Sequence, residues 1–229
     1  MINNLSTDTW RNPSATSKRS SAGRYGNTRS CSSPPAPLTA IHIFQIYPGR
    51  KLTVQLIYRR RIVTTQKLLK AAAVLSVPIY ATTQNRARLG PTCAEIDLST
   101  AVEHVDKTAF SMWIPEISQH FSSSPPSEIA IVGIETHICV TQTTLDLLAA
   151  GHKVYVLADG VSSCNKEEIG VALDRLRGEG AVITTSESWI YECMGDAGIP
   201  EFKAVAGVVK EYSGKTKEVV GALLGKSKI

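Results

Sequence analysis

The sequence predicts an α/β fold built on a mostly parallel sheet covered on both faces. Two observations carry this. From Ile62 onward, short β-branched apolar runs alternate with segments of helical periodicity, the pattern of successive β–α–β units. The runs are also nearly free of polar residues, as in Ile129–Ile134, which is how a strand buried on both faces reads. In such sheets functional groups gather at the carboxyl ends of the strands.

Each element has its own signal. Residues 1–38 are rich in Ser, Asn, Arg and Pro and end in CSSPPAPL; they cannot bury enough apolar surface to offset chain entropy. They are expected to form a disordered basic leader, with 39–229 as the folded domain. An Arg/Ser-rich, acid-poor leader also suits a mitochondrial transit segment, and nucleic-acid binding by the basic stretch is a third reading. Residues 39–60 hold two strand-like runs, Ile41–Tyr47 and Leu52–Tyr58, split by Pro48-Gly49, and predict a hairpin. Thr65–Ser76 predicts an amphipathic helix, Val77–Thr83 a strand and Gln84–Thr92 a basic loop. Val102–Val105 reads as a short strand and Ile114–Phe121 as a short helix. After the 129–134 strand, apolar spacing predicts a helix over Cys139–Ala150, stopped by Gly151. Strand Lys153–Ala158, loop Asp159–Asn165, helix Lys166–Arg177 and strand Ala181–Thr185 follow. Helices Ser188–Met194 and Pro200–Tyr212 complete the prediction.

Composition narrows the class. No run of 18 apolar residues exists, so a helical membrane span is excluded. The five cysteines, Cys31, Cys93, Cys139, Cys164 and Cys193, are scattered, with no C-x-x-C pair and no Cys/His set at zinc spacing. That pattern predicts free thiols in a reducing compartment, cytoplasmic in the first reading and mitochondrial in the second. The N-terminus lacks the apolar core of a signal peptide. The net charge of +5 hides an asymmetry: residues 9–94 hold 14 Lys and Arg and no Asp or Glu, while residues 95–229 hold 19 acids and 11 bases.

Cys139 carries the chemical question. It lies in IAIVGIETHICVTQTTLDLLAAG, where a buried strand gives way to a helix. In a helix's first turn, unpaired backbone N–H groups and the dipole favour a thiolate. Against this, a free cysteine is commonly a small buried hydrophobe. Position alone leaves both readings open.

Four stretches carry a family resemblance: TTQKLLKAAAVLSVPIYATTQNRARLGPTCAEIDL, VDKTAFSMW, VGIETHICVTQTTLDLLAAGHKVYVLADGVSS and TTSESWIYE. In order and spacing they resemble the isochorismatase-like hydrolase superfamily, and its small eukaryotic isochorismatase-domain-containing branch most of all. The resemblance runs from about Ile62 to the C-terminus. It implies a Rossmann-like three-layer α/β/α sandwich and an Asp–Lys–Cys triad, with the cysteine at Cys139 and the lysine at Lys107. It implies a thioester mechanism on a small amide- or imide-like substrate, and commonly a homo-oligomer. The backbone N–H groups of Glu135 and Cys139 would hold the oxyanion, and the Ile134–Glu135 peptide would be cis. Gln84, Arg86, Phe110, Thr136 and His137 are expected to contact substrate, with Arg86 and Arg88 suited to an acidic group. His137 reads more readily as orienting its loop than as a base. Cys93, Cys164 and Cys193 are taken as structural. Relatives that bind zinc do so through Asp and His after the second strand; here NRARLGPTCAEIDL has no His, so neither metal nor cofactor is expected.

This chain departs from the family at the aspartate. Counting back from TTQKLL puts that residue near Ile43, in IHIFQIYPGRK, where no carboxylate stands. Two readings account for this. The chain is a divergent member, or residues up to about Arg61 derive from a misread frame or retained intron; the second is favoured, because composition changes where the resemblance starts. On that reading the central strand would be replaced by unrelated sequence. The functional expectation is a cysteine hydrolase impaired by loss of its base. The alternative is a catalytically silent fold that works through protein contacts.

Overall fold

The computed structural model describes residues 39–44, 52–122 and 125–224, with side chains described over 61–122 and 125–222. Six strands form one parallel sheet in the order β3-β2-β1-β4-β5-β6. They are β1 (Thr39–Phe44), β2 (Ile79–Gln84), β3 (Glu103–Lys107), β4 (Glu128–Ile134), β5 (Lys153–Ser162) and β6 (Val182–Thr184). The helices are α1 (Leu52–Leu75), α2 (Arg86–Leu89), α3 (Pro115–Ser118), α4 (Thr141–Ala149), α5 (Glu167–Gly178), α6 (Ser186–Met194) and α7 (Phe202–Leu224). A 3₁₀ turn at Gln119–Phe121 extends α3, and a π-helical turn at Thr136–Val140 precedes α4.

Alternation along the strands makes the three layers. Ile79, Ala81, Ala130 and Val132 pack with Leu68 and Ala72 of α1, Trp189 of α6 and Val205 of α7. Tyr80, Ile129 and Ile131, one residue out of phase, pack on the opposite side with Ile117, Phe121, Val140, Leu147 and Leu176. Most of these side chains are fully buried, the Val, Leu, Ile and Phe among them each worth roughly 1.5–3 kcal/mol relative to exposure. The expected α/β/α sandwich is what forms.

Two glycines do work that a side chain would prevent. Gly151 follows α4 at φ +86° and donates to Leu148 O at 3.0 Å, the stop expected from sequence. Gly160 lies where a Cβ would stand 2.5 Å from Val132 Cγ1, so β5 can approach β4 only without one.

Several expectations are corrected. The hairpin over 39–60 does not form. Residues 39–44 are a central parallel strand, with Ile43 opposite Ala81 of β2 and Val132 of β4. The acid-free segment thus supplies the sheet's middle instead of disrupting it. Leu52–Tyr58, read as a strand, is the first part of α1. A short apolar run is ambiguous by periodicity, and elongating a helix onto the Leu/Ala/Lys-rich segment that follows avoids the cost of a separate nucleus. The Pro48-Gly49 turn lies outside the described residues, as does the leader over 1–38. The basic loop after β2 contains α2, β5 runs four residues past its predicted end to take in Asp159, and the last helix reaches Leu224.

Candidate active site

The carboxyl ends of β2, β3 and β4 bring the candidate residues together. Lys107, the last residue of β3, is 6% exposed. Its Nζ donates to Gln84 Oε1 at the end of β2 (2.6 Å), to Ala109 O (2.8 Å) and to Phe110 O (3.0 Å). Among the described residues, three acceptors thus face the Nζ, matching the three N–H donors of an ammonium. Burial lowers the pKa of Lys107, and the charges of Cys139 and Asp106 oppose that shift. The three acceptors add to the opposition, so the group stands as a cation.

Cys139 is 7% exposed and lies in the π-helical turn after β4. That turn is closed by Val140 N donating to Glu135 O at 3.1 Å, an i→i+5 bond, where the sequence predicts the first turn of a regular helix. Such turns occur often at functional sites. Burial pushes the thiol above its ordinary pKa. Lys107 and hydrogen bonding from the Glu135 and Cys139 backbone draw it back, while the Glu135 carboxylate adds to the rise. The Ile134–Glu135 peptide is cis.

The remaining candidates divide into two groups. Gln84 is fixed at both ends of its amide, accepting from Lys107 and donating from Nε2 to Thr108 O at 2.7 Å. Phe110 is 52% exposed, and its carbonyl is one of those that Lys107 uses. Thr136 is fully buried, its carbonyl accepting from Thr141 Oγ1 at 2.7 Å and its own Oγ1 without a partner among the described residues. His137 Nδ1 is 2.9 Å from Ser163 Oγ, just past β5, a contact suited to orienting the loop. Arg86 and Arg88 lie exposed on α2; the Arg86 backbone N–H donates to both Asp106 carboxylate oxygens, at 2.9 and 3.1 Å.

Two residues were missed in the sequence. Arg61, on α1, is 5% exposed, and its Nε and Nη2 have no hydrogen-bond partner among the described residues. Burial lowers its pKa to about 10, and Glu135 opposes the shift. Nothing in the basic run RRR separates it from its neighbours; only the helix register does. Cys164, taken as structural, is exposed, and its backbone N–H donates to Glu135 Oε2 at 2.6 Å. Cys93 is buried and Cys193 partly buried.

The isochorismatase domain matches residues 58–188. The chain is 44% identical over 154 residues to the secreted isochorismatase effector Isc1 of Phytophthora sojae, covering 65% of this chain and 73% of that protein. It is 40% identical over 159 residues to isochorismatase domain-containing protein 2 of Bos taurus, covering 69% and 77%. Among solved structures, one described as MAR1 ribonuclease from Caenorhabditis elegans superposes with a TM-score of 0.68 at 32% identity, over 76% of this chain and 91% of that one. The chain belongs to the isochorismatase domain family. The family match begins at residue 58, inside α1, so β1 lies outside it.

Proposed function

We propose that the chain is a cysteine hydrolase acting on small amide- or imide-like molecules, slowed by the absence of a carboxylate at the end of β1. The buried Lys107 cation, held at the end of β3 with its charge acting on the Cys139 thiol, carries this reading. Cys139 Sγ attacks the carbonyl carbon while the Glu135 and Cys139 backbone N–H groups hold the developing oxyanion. The thiol proton passes to solvent on ionisation, and the C–N bond breaks as the amine takes a proton from water. A water molecule then cleaves the thioester to the acid and frees Cys139. Lys107 favours the thiolate without accepting its proton, since its three N–H donors are engaged. Glu135 raises the thiol's pKa, and one of its carboxylate oxygens already accepts the Cys164 N–H. A general base is worth about 10²–10⁴-fold, so the turnover expected is slow. Phe110 and Gln84 are the side chains assigned to substrate contact, and Arg86 on exposed α2 is assigned to an acidic substituent.

The test is amine release from a panel of small primary amides and cyclic imides by the full chain. Turnover abolished in Cys139→Ser supports the reading. Turnover that survives this change overturns Cys139 as the nucleophile, and none from any substrate with Cys139 unreactive favours a silent protein acting by contacts. The ribonuclease name of the Caenorhabditis relative suggests RNA as a substrate. The balance of 11 bases against 19 acids over residues 95–229 disfavours a polyanion there. No described helix is long and apolar enough to cross a membrane. A cytoplasmic location and a homo-oligomeric state are part of the same proposal.

A further inference from the structure

Glu135, His137 and Cys164 offer a carboxylate oxygen, an imidazole nitrogen and a thiol sulfur that all lie within 4.8 Å of one another. They come from two segments, the corner after β4 and the loop after β5, which the Cys164 N–H to Glu135 Oε2 bond already holds together at 2.6 Å. His137 Nδ1 is 4.0 Å from Glu135 Oε2 and 2.9 Å from Ser163 Oγ. Nδ1 is thus the ring nitrogen facing Glu135; the Ser163 hydroxyl holds it in that orientation and gives way when an ion takes its lone pair. Cys164 is exposed, and the Glu135 and His137 side chains are about a quarter exposed, at 25% and 23%. The set is therefore open to solvent on the side from which an ion arrives.

We propose that Glu135, His137 and Cys164 form a three-ligand site for a borderline divalent cation, Zn²⁺ above all. The mixed O, N, S donor set argues for zinc: magnesium and calcium take oxygen alone, and copper(I) and iron–sulfur clusters take mainly sulfur. Zinc bonds of about 2.0–2.3 Å at tetrahedral angles put ligand atoms roughly 3.3–3.7 Å apart. Closing from 4.8 Å needs a shift of about 1 Å, within reach of rotation about the Cys164 and Glu135 side-chain bonds. Three protein ligands leave the fourth position to water or another ligand. On binding, the Cys164 S–H bond breaks, the proton goes to solvent and the Zn–S bond forms, with no change of oxidation state. The site differs from one built on Asp and His after the second strand, because it uses none of that loop. The Arg61 charge acts on Glu135 and opposes a second cation, so the site is weaker than a closed four-ligand one. Because Glu135 and His137 flank the start of the turn that carries Cys139, an ion here ties that turn to the end of β5.

Cobalt(II) titration of the full chain under reducing conditions tests the assignment. One equivalent should give visible d–d bands and a near-ultraviolet thiolate-to-cobalt band, both removed by equimolar Zn²⁺. Cys164→Ser, an exposed and nearly isosteric change, should abolish the thiolate band and weaken cobalt binding about tenfold or more. His137→Gln should weaken binding to a similar extent, and Cys139→Ser should leave both bands intact. No thiolate band in the parent chain, a band that survives Cys164→Ser, or one lost in Cys139→Ser overturns the proposal.

Discussion

Lys107 Nζ donates to Gln84 Oε1 at 2.6 Å, joining the carboxyl ends of two adjacent strands at the site that holds Cys139. The amide of Gln84 is fixed in turn by Thr108 O, so the ammonium is held from several directions before any substrate arrives. Lys107→Met should therefore do two things. Loss of the cation should slow alkylation of Cys139 at pH 7 by about tenfold, because less of the thiol is ionised. Loss of the donor strands Gln84 Oε1 and two carbonyls, so stability should fall by about 1–3 kcal/mol or more. Mass-spectrometric alkylation rates and urea unfolding read the two effects separately.

The thiols set a pH dependence with a definite sign. Burial pushes Cys193 up to about 12, followed by the nearby Glu128 and Glu192 charges. An unfolded cysteine titrates near 8.5. Between those values the folded chain keeps a proton that the unfolded chain has lost, so stability falls as pH rises above about 8.5. The slope from one such group approaches 1.4 kcal/mol per pH unit. Cys139 and Cys164, also raised, act in the same direction. Thermal unfolding of wild type and Cys193→Ala from pH 8 to 10 should show a shallower decline in the variant.

If the missing carboxylate is what slows the chain, restoring one should speed it. Ile43→Asp, Phe44→Asp and Gln45→Asp sample the end of β1 and the residue after it. One of the three should raise amide turnover by about 10²-fold or more, the lower end of general-base assistance. Circular dichroism and unfolding midpoints identify any variant that has lost its fold.

Gly160→Ala should be costly for a geometric reason. The added Cβ would meet Val132 Cγ1 at 2.5 Å, inside a core that has no slack. The expected loss is about 1–3 kcal/mol. Because the clash is with a side chain, Val132→Ala in the same chain should recover part of it, and a double-mutant cycle on urea midpoints measures the coupling.

The sequence made most of the C-terminal two-thirds legible, and for different reasons. Ile129–Ile134 reads as buried on both faces because both faces are covered, and Gly151 reads as a helix stop because a positive φ is needed there. Leu52–Tyr58 was misread because seven apolar-rich residues carry no period that separates strand from helix; continuity with the segment after Ile62 decided it. Residues 39–44 were assigned to a hairpin because Pro48-Gly49 is a strong local turn signal. Sheet order is a long-range property that local signals do not carry. At the site, Lys107 and Cys139 were found through motifs. Arg61 and Cys164 were not, since what distinguishes them is proximity to Glu135, 74 and 29 residues away in sequence.

The most direct test of Cys139 as nucleophile is to trap its acyl intermediate. Incubation of the full chain with a small activated ester, followed by intact-mass and peptide mapping, locates the adduct. A single acyl group on Cys139, absent from Cys139→Ser and persisting because hydrolysis lacks a base, is the expected result. Acylation confined to exposed Cys164, or none at all while the fold is intact, would contradict a cysteine hydrolase.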